Sequence, residues 1–168
     1  MPLSVAAIVF SPCKKQVLLI QRKDVPVYAL PGGGVEKGED PLHAAIRETL
    51  EETHLTTTLD HIVGYYYPVS SLAHPTIVFQ LHKVGGQEAP SEETLGCNYF
   101  PIDDLPSLLP PFYLEWIHDA LQGPFPHFKP ISSATTINLL KYLFTHPLHV
   151  LRFILARLKI PYNTSSSL

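Results

Sequence analysis

Short apolar runs alternate with turn residues along the first hundred positions. Val5–Phe10 (VAAIVF) and Gln16–Gln21 (QVLLIQ) are rich in Val and Ile. The turn Ser11-Pro12-Cys13-Lys14 separates them, which predicts two strands. Pro31-Gly32-Gly33-Gly34 predicts a loop, because successive glycines favour neither strand nor helix. Asp40-Pro41 predicts a helix start: Asp is a preferred cap, and Pro suits the first helical position, where an N–H has no partner. From there Leu42, Ala45, Ile46, Leu50 and Thr53 recur at three- and four-residue steps, the stripe of an amphipathic helix. His61–Val69 and Pro75–Val84 predict strands, the second broken by Gly85-Gly86. Cys97–Ile102 predicts another strand and Leu114–Leu121 a short helix. This order predicts a mixed α/β (α+β) fold with helices packed on sheet. No internal repeat is present.

The pattern changes at Gly123. Gly123-Pro124-Phe125-Pro126 and Lys129-Pro130 predict a linker, Ile131–Ile160 two helical stretches broken near His146-Pro147, and Asn163–Ser167 a frayed polar tail. The chain thus divides into a body, 1–123, and a Pro-rich linker plus basic apolar extension, 124–168. In the extension His149, Arg152 and Lys159 share one helical face, while Leu148, Leu151, Phe153, Ile154, Leu155 and Leu158 cover most of the rest. That stripe needs a partner. Packing on the body or in a homodimer is the expected answer; peripheral membrane contact through 148–160 is the alternative.

Composition narrows the class. The chain has 168 residues, of which 45% are hydrophobic and 16% charged, so disorder of the whole chain is excluded. Seventeen prolines occur without a Gly-X-Y period, which excludes collagen. Two cysteines, Cys13 and Cys97, make neither a disulfide framework nor a Cys-built zinc site. The N-terminal stretch lacks a basic n-region, and no run of 18 apolar residues occurs, so a cytoplasmic protein with no spanning helix is expected. Residues 1–119 hold seven of the twelve Lys and Arg and all fifteen Asp and Glu, a net of −8; residues 120–168 hold five bases and no acid, a net of +5. An acidic body argues against a specific nucleic-acid partner, whose phosphates need basic surface. Acid gathered in one place suits a metal.

The helix from Leu42 to Thr53 gathers it. At 3.6 residues per turn Glu48 and Glu52 are ~40° apart around the axis, with Glu51 ~60° to the other side of Glu48. Like charges one turn apart destabilise a helix by ~0.2–0.5 kcal/mol per pair. The helix C-terminus also disfavours negative charge. The face is therefore either solvated or occupied by a counter-cation, and carboxylate oxygens are the ligands Mg2+ and Mn2+ prefer. Arg47 can reach Glu51 at i,i+4. The preceding glycines can bring backbone N–H groups close to an anion.

The stretch from Gly33 to Leu55, GGVEKGEDPLHAAIRETLEETHL, resembles the Nudix box, G-x5-E-x7-R-E-U-x-E-E-x-G-U, where U is bulky and apolar. Gly33, Glu39, Arg47-Glu48, Glu51-Glu52 and Leu55 match its positions. Six fixed positions match by chance on the order of once in 10^7 to 10^8 starts. Pro31-Gly32, Gly85-Gly86, Glu92-Glu93-Thr94 and Phe100-Pro101…Leu105-Pro106 also resemble the family, and the likeness covers about residues 3–122. Two positions depart: Thr49 stands at an apolar site, and His54 replaces the glycine that ends the helix in a left-handed conformation.

The resemblance implies a Nudix-like mixed sheet between helices, and a Mg2+-dependent pyrophosphohydrolase (Mn2+ able to substitute). It would cleave a nucleoside diphosphate linked to another group: an ADP-ribose-like compound, a dinucleoside polyphosphate or a nucleoside triphosphate. By resemblance Glu48 and Glu52 are metal ligands and Glu51 a third ligand or a base. Arg47 orients the carboxylates, and Glu39 supports them or is an added ligand. Gly33 and Gly34 shape the loop. Glu92 and Glu93, in a downstream loop, are candidates for activating the water. Arg22 is a candidate phosphate contact, as is Lys23, and Tyr28 a candidate stacking surface. The alternative reading is a catalytically weak nucleotide-sensing module acting through the C-terminal helix, with His54 the feature that points to it.

Overall fold

The computed structural model describes residues 2–25, 27–70 and 73–132. The helical stretches, polar tail and 148–160 stripe expected beyond residue 132 lie outside the described residues. Among the described residues eight strands and two helices follow in the order β1 (Ser4–Val9), β2 (Gln16–Arg22), β3 (Tyr28–Ala29), β4 (Gly32–Gly34), α1 (Pro41–Thr53), β5 (Leu55–Pro68), β6 (Thr76–Gly86), β7 (Thr94–Pro101), α2 (Pro111–Ala120) and β8 (His127–Ile131). Five strands form one sheet, β4-β1-β6-β5-β8; three form another, β3-β2-β7. In the larger sheet β1 runs parallel to β6 and antiparallel to β4, β5 is antiparallel to β6, and β8 is parallel to β5.

The apolar runs of the first strands follow from burial on both faces. Along β1, Val5, Ala7 and Val9 enter one core cluster with Leu18, Ile20, Ala44, Ala45, Leu55 and Leu81. Ala6 and Ile8 enter a second with Val17, Leu19, Val63, Tyr66, Trp116 and Ile117. A strand covered on both sides is apolar throughout rather than alternating. Helix α1 covers one face and α2 the other, the arrangement expected of helices packed on sheet.

Four local expectations change. Gly32–Gly34 is not a loop but the edge strand β4, paired with Ser4–Ala6. Its pairing uses backbone groups alone, and the missing Cβ of Gly33 leaves room for the Glu48 side chain of α1. Gly85-Gly86 does not break β6 but ends it in register with Leu55 and Thr56. Gly86, at φ 81°, lies where a Cβ would overlap the carbonyl of His54. Lys129-Pro130 is not linker: His127–Ile131 is β8, with Pro130 on the outermost strand of the sheet, where a missing N–H is tolerated. It follows that Ile131 is strand, not helix; it is buried in the second cluster.

The fourth change concerns α1. Asp40 caps it as expected, accepting hydrogen bonds from the amides of Leu42 at 2.9 Å and His43 at 3.3 Å. The stripe, however, is rotated. Leu50 is 46% exposed, whereas Ala44, Ala45, Thr49, Glu52 and Thr53 are buried. Small residues let the helix approach the sheet closely, and Thr49 satisfies its hydroxyl by donating to the Ala45 carbonyl at 2.7 Å. His54 ends the helix at φ 61°, ψ 19°, its amide donating to the Leu50 carbonyl at 2.8 Å.

Candidate active site

The C-terminal half of α1 lies against β4, so the helix carboxylates meet the glycine strand. Glu52 is 5% exposed, and its Oε2 accepts a hydrogen bond from the amide of Gly32 at 2.8 Å. Glu48 sits over Gly33: a Cβ there would overlap its carboxylate. Glu51, the third of the set, points outward and is more exposed.

One guanidinium serves most of the acid. Arg47 donates to Glu39 Oε1 at 2.8 Å and Oε2 at 3.0 Å, to Glu48 Oε1 at 2.9 Å, to Glu51 Oε2 at 3.1 Å and to the Gly34 carbonyl at 3.3 Å. The Arg47–Glu51 pair is the i,i+4 contact expected from spacing. Glu39 is bound to Arg47 through both oxygens and also accepts from the Glu36 amide at 2.9 Å. Those bonds pull its carboxyl down to about 2.

Glu52 behaves oppositely. Burial, against the opposing bond from Gly32, and then the charges of Glu48 and Glu93 push its carboxyl up to about 7. Burial also raises Glu48, although Arg47 opposes it. The site thus holds more negative charge than its cations balance, with two carboxylates partly stripped of water. Among the described residues no three His, Cys, Asp or Glu side chains close on an ion in this conformation. Arg47 stands in the place of a cation between Glu48 and Glu51.

Two cavities meet at Arg22. One, of about 440 Å³, is lined by Arg22, Lys23, Asp24, Glu52, Glu92 and Glu93, so the loop glutamates face the buried helix carboxylate. The other, of about 480 Å³, runs along β4 beneath Leu30, Phe112, Tyr113, Trp116 and Ile131. Its size is that of a small-molecule site. Arg22 pairs with Asp24 at 2.8 and 2.7 Å. Tyr28 lines neither cavity; its ring packs edge-on against Phe100 with centroids 5.2 Å apart. Sequence reasoning overlooked the aromatic wall from α2, although Phe112 and Trp116 are four residues apart on one helix, the spacing of neighbours on one face. Their rings lie 5.2 Å apart.

The family model of the NUDIX domain matches residues 1–120. The chain belongs to the Nudix family of hydrolases. It is 35% identical over 109 residues to a putative 8-oxo-dGTP diphosphatase of Bacillus subtilis, a match covering 65% of this chain and 73% of that one. It is 35% identical over 99 residues to an ADP-ribose pyrophosphatase of Methanocaldococcus jannaschii, covering 55% and 59%. The fold resembles the crystal structure of an ADP-ribose pyrophosphatase from Streptococcus suis, with a TM-score of 0.63 at 22% identity, covering 77% of this chain and 98% of that one. Among the described residues of this Nudix chain no helix is long and apolar enough to cross a membrane.

Proposed function

We propose that this Nudix chain is a Mg2+-dependent pyrophosphohydrolase acting on a nucleoside diphosphate joined to another group. The observation that carries this is the gathering of Glu48 and Glu51 on Arg47 beside Glu52, which is buried against the Gly32 amide and shifted to about 7. An all-oxygen, over-acidic cluster fits a hard divalent cation in donor type and in charge. Glu48 and Glu52 would hold it, joined by Glu51, once Glu48 and Glu51 turn from Arg47. Glu39, with both oxygens on Arg47, then keeps that guanidinium in place.

When bound, the cation neutralises the diphosphate and lowers the pKa of a coordinated water. The chain's own groups do the rest. Arg22 and the backbone of Gly32–Gly34 orient the phosphates between the two cavities. One of Glu92 and Glu93, facing Glu52 across the smaller cavity, accepts the proton of the attacking water. The water oxygen bonds to phosphorus, the bridging P–O bond breaks, and its electrons stay on the departing phosphate.

The aromatic cavity favours a flat, neutral ring beside the diphosphate. It offers one guanidinium, Arg22, and one imidazole, His74, too little positive charge for a ring bearing many phosphates. A panel of an ADP-ribose-like compound, a dinucleoside polyphosphate and oxidised and unmodified nucleoside triphosphates, with Mg2+ or Mn2+ and products resolved by chromatography, tests the reading. Cleavage of a P–O–P bond in at least one supports it. Binding without cleavage throughout would favour the nucleotide-sensing alternative.

A further inference from the structure

The loop carrying Glu92 and Glu93 is joined to the end of α1 through the backbone of Glu52 itself. Thr94, fully buried at the start of β7, donates its hydroxyl to the Glu52 carbonyl at 3.0 Å. That carbonyl is one of the last of the helix, which have no intrahelical partner. The same hydroxyl oxygen accepts from the Ser91 amide at 3.1 Å, and the Ser91 hydroxyl accepts from the amides of Glu93 and Thr94, each at 3.1 Å. One residue further along α1, the Thr53 carbonyl accepts from the Ala89 amide at 3.3 Å. From the other side Lys23 grips the loop twice: its Nζ donates to the Ser91 carbonyl at 2.7 Å, and its amide to the Glu93 carbonyl at 3.1 Å.

We propose that Thr94 is a positioning residue for hydrolysis: its hydroxyl fixes the Glu92–Glu93 loop against Glu52, setting how the loop carboxylates face the helix carboxylate. This rests on the proposed hydrolytic function. The local reason is that a loop of seven residues, 87–93, has many conformers, and catalytic groups must be held within fractions of an ångström. A hydrogen bond from a buried hydroxyl to the backbone of Glu52 transmits no flexibility from either long side chain. Lys23 holds the same loop through two hydrogen bonds, to the carbonyls of Ser91 and Glu93.

The test uses Thr94→Val, nearly the same shape without the hydroxyl, Thr94→Ser, which keeps it, and Lys23→Met, which loosens the loop should Thr94→Val fail to fold. Amide hydrogen exchange of the metal-free full chain is read beside kcat and KM. Thr94→Val is expected to raise exchange in residues 87–93 at least tenfold while Pro41–Leu50 and β5 stay protected. It should lower kcat by about 10–100-fold with KM changed less than threefold, an effect on the chemical step rather than on binding. Thr94→Ser should restore both, and Lys23→Met should raise loop exchange together with a kcat loss smaller than that of Thr94→Val. Unchanged loop exchange in Thr94→Val and Lys23→Met overturns the proposal. So does faster exchange throughout the fold in Thr94→Val, since that marks a purely structural residue, and so does a loosened loop with wild-type kcat. If the wild-type chain hydrolyses nothing, the exchange measurement still reports whether the clamp exists, so failure of the hydrolytic reading is told apart from failure of the clamp.

Discussion

The amide of Gly32 donates to the carboxylate of Glu52 across the seam between an edge strand and a helix, at 2.8 Å. The bond gives a buried acid one fixed partner and leaves its other oxygen available. Next to it, a Cβ on Gly33 would overlap the Glu48 carboxylate of the same helix. That seam makes the first prediction.

Gly33→Ala puts a methyl where the Glu48 carboxylate sits. Because Glu48 is the flexible end of a side chain, the fold survives at a cost of about 1–2 kcal/mol, but the carboxylate moves. The expected result is a Tm lowered by a few degrees and at least tenfold weaker divalent-cation binding by calorimetry. Gly34→Ala, where a Cβ meets nothing, serves as the control.

His54→Gly should stabilise the protein. His54 sits at φ 61°, where a side chain crowds the following carbonyl at a cost of roughly 1 kcal/mol. Urea unfolding should show a gain of up to about 1 kcal/mol, with the catalytic constants unchanged if the turn keeps its geometry. A loss of stability would mean that the imidazole makes a contact worth more than the strain.

The raised Glu52 carboxyl gives the metal-free protein a pH dependence of definite sign. Burial places its folded pKa at about 7, above the usual 4.5. Such a group binds its proton more tightly when folded. Its stabilisation is complete below about 4.5 and is lost as pH rises through 7, to the extent of about 2–3 kcal/mol. Glu39 acts in another window: its lowered pKa stabilises above about 4.5 and fails only as pH falls toward 2. Between pH 5 and 8, then, urea midpoints should fall in wild type and fall clearly less in Glu52→Gln, where only the raised Glu48 carboxyl contributes with the same sign. A level wild-type profile would contradict the burial argument.

Strand β8 is held to α2 by a buried acid. Asp119 accepts from Lys129 Nζ at 2.6 Å and from the Tyr66 hydroxyl at 2.9 Å. Lys129→Met leaves Asp119 with one side-chain donor and should cost about 1–2 kcal/mol, near the low end because the lysine is half exposed. Thermal unfolding checks it. No change in Tm would mean that β8 adds little to the sheet.

Much of this was readable in the residues, and the failures have physical causes. Asp40-Pro41 announced the helix start because a cap and a fixed φ act locally. The carboxylate set was readable because helical spacing alone gathers Glu48, Glu51 and Glu52. Hydrophobicity misled at Leu50, which is exposed, and Thr49, which is buried: the buried face holds the small Ala44, Ala45, Thr49 and Thr53 together with Glu52. Glycine content misled at Gly32–Gly34, because edge pairing needs only backbone and the approach of Glu48 requires a missing Cβ. Pro130 concealed β8, a strand formed only by parallel pairing with residues some 60 positions away. The aromatic cavity wall and the Thr94 clamp depend on long-range packing that no local pattern records.

The central claim is that Glu52 holds the cation that makes hydrolysis possible. The most direct measurement is kcat/KM of Glu52→Gln against wild type, on whichever compound the chain cleaves, at saturating Mg2+. A fall of at least about a hundredfold, or about 2.7 kcal/mol of transition-state stabilisation, in a protein that still folds is the predicted result. Turnover equal to wild type would contradict it.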